Sequence, residues 1–98
     1  MSHYREIVIE TYGGAREYST GAPPARPLAG QGLDTNLKVE CSGSMRRNHP
    51  IGTKFLVHAK LTDSHGTPFL YSSYRWKWRV VKDDEIASLI TTMAIKNQ

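Results

Sequence analysis

Between Lys54 and Leu61 the chain alternates strictly: Phe55, Val57, Ala59 and Leu61 interleave with Lys54, Leu56, His58 and Lys60. A period of two sustained over that length belongs to a β-strand with one face in a core and the other wet. It also commits the chain to a sheet, because a lone strand leaves its backbone donors and acceptors without partners.

The flanking segments supply those partners. Tyr4–Tyr12 is short and β-branched; Ile7 and Ile9 share one face and Tyr4, Val8 and Tyr12 the other, so both sides are expected to be partly covered. Leu37, Val39, Cys41, Gly43 and Met45 alternate with Lys38, Glu40, Ser42 and Ser44, which predicts a second strand over 37–45. Residues 45–52 are then a polar turn. Thr62–Thr67 is a hairpin turn, with Gly66 suited to a positive φ. Pro68 opens a third strand of this meander, which continues to about Val81.

Asp83 is placed to cap a helix, with Asp84 and Glu85 in its first turn. Ile86, Leu89, Ile90 and Met93 form one apolar stripe at helical spacing, expected to pack on a sheet face. The expected fold is therefore α+β: a small antiparallel sheet or partly open barrel of about four strands, with one C-terminal helix packed on it.

Ninety-eight residues, 39% hydrophobic and 22% charged, suit a single domain over 1–98. Residues 13–32 hold five of the eight glycines and three of the five prolines, and read as a long mobile loop without helix or strand pattern. The start lacks the basic flank and apolar run of a secretory signal, and apolar runs stop at three residues. Cys41 is alone, so no intrachain disulfide can form. These features predict a cytoplasmic protein without a membrane span.

Signatures of catalysis are missing. Cys41 shares parity with Leu37 and Val39, and a buried thiol resists ionisation. His3, His49, His58 and His65 show no zinc-ligand spacing, no phosphate-cradling glycine loop occurs, and no acid–base carboxylate pair can be named. No catalytic residue, metal or cofactor is predicted.

Charge is the informative feature. Residues 42–82 carry eight basic side chains against Asp63 alone, a net of +7, while residues 1–41 sum to −1 and residues 83–98 to −2. Such a segment attracts anions. Arg46, Arg47, Lys54, Lys60, Arg75, Lys77 and Arg79 are its candidate anion-binding residues, with nucleic acid the leading partner. A homodimeric interaction module and a small-ligand pocket are the alternatives, with Tyr71, Tyr74, Trp76 and Trp78 as pocket or interface residues.

Everything turns on residues 71–81, YSSYRWKWRVV. Read as an uninterrupted strand, Tyr74, Trp76, Trp78 and Val80 face the core, and Arg75, Lys77 and Arg79 face solvent. A platform for stacking bases needs aromatics and cations on one surface. Segregation onto opposite faces argues for buried tryptophans. A bulge at Ser72–Ser73 would also bring Phe69 and Tyr71 inside; without one they share the exposed face with the cations.

Overall fold

The computed structural model describes residues 4–13, 22–63, 66–73 and 75–96. In chain order it contains β1 (Arg5–Thr11), β2 (Ala25–Pro27), β3 (Val39–Glu40), α1 (Gly43–Arg47), β4 (Lys54–Thr62), β5 (Phe69–Tyr71), β6 (Arg79–Val81) and α2 (Ile86–Lys96). The alternating segment is β4, and it organises the sheet. One edge of β4 pairs antiparallel with β1, from Glu10↔Lys54 to Arg5↔Ala59. The other edge takes two strands in succession: β6 against Lys54–Leu56 and β5 against Lys60–Thr62. With β2 beyond β1 and β3 beyond β5, the six-stranded sheet curls into a nearly closed barrel.

Barrel closure sorts the alternating residues. Ile7, Ile9, Phe55, Val57, Ala59, Val39 and Leu70 line the interior and are almost wholly removed from water. Each such large aliphatic or aromatic side chain contributes about 1.5–3 kcal/mol by leaving water. Val8, on the opposite face of β1, is also fully buried, and α2 lies against β1. The helix buries Met93 and half-buries Ile86, Leu89 and Ile90, so its apolar stripe does pack on the sheet as its spacing requires.

Several local expectations need correction. The strand predicted over 37–45 ends at Glu40, and Gly43–Arg47 is helical. Ser42 causes the switch: its hydroxyl accepts from the Met45 N–H at 3.3 Å and caps the turn. Met45 is still buried, by the helix rather than by strand parity. The meander is not wholly antiparallel either. β3 pairs with β5 in parallel, Val39↔Leu70, and does not neighbour β4.

Leu61, expected inside, is 56% exposed, because the pairing of β1 along β4 stops at Ala59. Gly66 does take a positive φ of 83°, and its N–H donates to Asp63 O at 2.9 Å. Asp83 is not the helix cap. Lys82 holds that position, and Asp83–Glu85 form a 3₁₀ turn leading into α2.

The glycine- and proline-rich segment also contributes structure; its residues 14–21 lie outside the described residues. Ala25–Pro27 pairs with β1 at the far edge of the sheet, where Pro27 has no need of a ladder donor. Beyond β2, the Gln31 side chain continues the ladder. Its Oε1 accepts from the Val8 N–H at 2.7 Å, and its Nε2 donates to Val8 O at 2.8 Å and Leu28 O at 2.9 Å. Truncating it strands a buried backbone donor, which costs about 1–3 kcal/mol. Gln31→Ala is therefore expected to lower the unfolding free energy by about that amount in urea titration. A loss below about 0.5 kcal/mol would show that these bonds do not hold the β1 edge.

Candidate functional site

The sheet treats residues 71–81 differently from either sequence alternative. Tyr71 ends β5, and the next backbone donor, Ser72 N–H, bonds to Glu40 O on β3 at 2.8 Å. A turn follows. The Trp76 N–H donates to Ser73 O at 3.1 Å, and the Arg75 N–H donates to Ser73 Oγ at 3.2 Å. Pairing resumes only at Arg79. The chain leaves the edge of β4 opposite Val57–Ala59 and returns to the same edge at Leu56. Among the described residues, 75–78 carry no strand, so the interruption is longer than a one-residue bulge.

That excursion abolishes the expected segregation. Trp76 is half-buried and Trp78 is 40% exposed, so neither tryptophan belongs to the barrel core. Tyr74 lies outside the described residues. Phe69 is half-buried and Tyr71 is 40% exposed, opposite Lys60 in the β4–β5 ladder.

Trp76 turns onto the outer face of the barrel. Its ring meets Tyr4 edge to face at 4.2 Å and Tyr71 at 5.8 Å. Pairs of this kind contribute about 0.5–1.5 kcal/mol beyond area burial, enough to fix the loop against β1. Trp78 goes elsewhere, against Phe55 at 5.6 Å and His49 at 5.8 Å, where His49 Nδ1 donates to Met45 O at 2.8 Å.

Around Trp76 an open groove of about 420 Å³ is lined by Tyr4, His58, Arg75, Trp76 and Lys77. Strand geometry accounts for its floor and wall. Tyr4 immediately precedes β1, in the parity that Glu6 has on its outer face, and His58 and Lys60 lie on the same outer face of β4. Lys60 Nζ sits 5.3 Å over the Tyr4 ring, a cation–π contact. At one end His58 Nε2 is 3.9 Å from a Glu6 carboxylate oxygen. Arg75 and Lys77 therefore line the groove with Tyr4 and Trp76, and Lys60, outside the lining, reaches the Tyr4 ring on the same outer face.

The other candidate anion binders are distributed differently. Arg46 is turned inward, its guanidinium donating to Pro23 O at 2.9 Å, Cys41 O at 3.2 Å and Ser42 O at 3.3 Å. It ties α1 to the segment before β2. Lys54 pairs with Asp83 at 3.4 Å, and Arg79 Nη1 reaches both Glu85 carboxylate oxygens at 2.9 and 3.1 Å. Arg47 is exposed on α1, apart from the groove lining. The acidic 3₁₀ turn before α2 thus offsets part of the +7 segment, an arrangement that charge counting along the chain could not locate. Tyr4 and His58 join the groove although the charge excess of residues 42–82 does not single them out. The signal for them lay in β1 and β4 parity, which places both on the outer face.

Cys41 lies against the barrel core, and burial pushes its thiol up to about 11; Arg46 lowers it and Glu40 raises it by less. The folded state holds this proton more tightly than the unfolded one. The resulting stability is full below the ordinary value of 9.0 and is lost as pH rises through about 11. Iodoacetamide alkylation at about pH 8 should accordingly run at least tenfold slower in the native protein than in urea, and equal rates would place the thiol in water. Among the described residues, no three His, Cys, Asp or Glu side chains come together to hold a metal ion, and no helix is long and apolar enough to cross a membrane.

No family model matches the chain, nor does any curated protein or solved structure.

Proposed function

We propose that the protein is a small binding module that holds an anionic partner, nucleic acid, in the groove around Trp76. The observation that carries this is the meeting of Tyr4, Tyr71 and Trp76 with Lys60, Arg75 and Lys77 on one outer surface of the barrel. Phosphates attract the ammonium and guanidinium groups over long range, and bases match the aromatic floor. Neither feature alone would select a polynucleotide over another anion. The roles follow from position: Lys77, Lys60 and Arg75 neutralise phosphate, while Trp76 and Tyr4 provide the apolar contact. Arg46, Lys54 and Arg79, engaged with backbone carbonyls or with Asp83 and Glu85, shape the fold around the site. A cytoplasmic setting, in which the lone Cys41 stays reduced, suits such a partner.

A groove of 420 Å³ also falls within the range of small-molecule sites, about 300–1,000 Å³. An anionic aromatic metabolite, a free nucleotide for example, is therefore the second reading.

Binding should weaken steeply with salt, with a slope of log affinity against log salt of roughly −2 to −3 for three phosphate contacts. Lys77→Glu is expected to weaken binding and reduce that slope by about one, whereas Arg47→Glu on α1 should change affinity much less. Filter retention of a labelled oligonucleotide measures both. Retention that is absent at low salt, or insensitive to salt, would refute the proposal. Complete displacement by equimolar mononucleotide would favour the small-molecule reading.

A further inference from the structure

We infer that the groove accepts an unpaired base, so that the ligand is single-stranded nucleic acid and not a duplex; this deepens the function proposed above and depends on it. The argument starts with shape. A duplex keeps its base planes inside the helix and offers a protein its phosphates and groove edges. It would meet the cations but leave an apolar concavity of about 420 Å³ unfilled. A splayed base exposes a flat apolar face of the kind that aromatic side chains stack on.

The second point is rigidity. A lone exposed tryptophan loses side-chain freedom when it stacks, and that loss weakens binding. Here Tyr4 at 4.2 Å and Tyr71 at 5.8 Å already brace Trp76, and the turn bond from its own N–H to Ser73 O holds the backbone. The site is organised before the ligand arrives.

The third is charge placement along the chain and across the sheet. Arg75 and Lys77 flank Trp76 in sequence, and Lys60 lies over the Tyr4 ring on the strand side. A nucleotide in a strand carries a phosphate on each side of its base. Cations on several sides of one aromatic centre match that pattern better than a single row along one edge would.

Stacking on one aromatic centre is worth roughly 5- to 150-fold in affinity per base. The test uses the full chain with Trp78→Phe, which leaves Trp76 as the one tryptophan. It is titrated with oligo-dT, oligo-U and a mixed-sequence duplex, each of about 12 nucleotides or base pairs, at ~50 mM and ~200 mM salt. The expected result is quenching of Trp76 emission by single strands, which bind at least tenfold more tightly than the duplex. The DNA and RNA arms show whether the sugar matters. Trp76→Leu should reduce single-strand affinity toward the duplex value while keeping the salt slope; Trp76→Phe should retain most of it. If the Trp78→Phe protein does not fold by circular dichroism, fluorescence anisotropy of labelled oligonucleotides on the wild type and the Trp76 variants makes the same comparison. Duplex binding as tight as single-strand binding, or single-strand binding indifferent to Trp76→Leu, overturns the inference and leaves the nucleic-acid proposal standing. Failure of every oligonucleotide to bind at low salt overturns both.

Discussion

The structure depends on how β4 divides its two edges. One edge is given continuously to β1, six residue pairs long, and this ladder builds the barrel core from Ile7, Ile9, Phe55, Val57 and Ala59. The other edge is shared between β5 and β6, with Val57–Ala59 between their pairings. The chain must leave the sheet there and come back. Because it leaves by a turn on Ser73, Trp76 swings out over the outer face and meets Tyr4, which leads into the opposite neighbour of β4. One interruption in hydrogen bonding thus brings Trp76 together with the tyrosine at the entrance to β1, across β4.

The same outer face serves two purposes. Toward Val8 and Leu56 it is covered: Val8 is fully buried, Leu56 is half-buried, and α2 lies against β1. Toward Tyr4, His58 and Lys60 it opens into the groove. Asp83 and Glu85 of the 3₁₀ turn before α2 also pair with Lys54 and Arg79 near the covered half. Exposed pairs of this kind add little stability, about 0–1 kcal/mol each. Their consequence is that Lys54 and Arg79 already stand beside carboxylates, while Lys77 lines the aromatic groove.

The regular elements were legible in the sequence because period two in β1 and β4, and the apolar stripe of α2, each repeat over many residues. Short elements were not. β2 and β3 span three and two residues, and no periodicity can be read over so few. Their existence depends on partners distant in the chain. Ser42 illustrates the competition in α1: the alternation through Met45 is present, but a hydroxyl that caps the Met45 N–H outweighs it. The candidate site failed for a related reason. Alternation of aromatics and cations in 74–79 predicts opposite faces only if the segment is a strand, and strand pairing is a property of β4's edge rather than of those residues. Once the segment is a loop, neighbours in sequence can line one groove. The cations were visible as a charge excess, yet which of them pair with Asp83 and Glu85 is set by the docking of α2. Gln31 gave no local signal at all, since its role is defined by the Val8 backbone 23 residues away.

The central claim is that Trp76 lies at the surface among cations instead of inside the sheet. Collisional quenching of Trp76 emission in the Trp78→Phe protein, by iodide and separately by caesium, tests it most directly. A positive local potential concentrates anions and repels cations, an effect that fades with added salt. The structure predicts iodide quenching well above caesium quenching at low ionic strength, with the two converging as salt is added. Trp76 shielded from both ions would restore the buried strand and contradict the account.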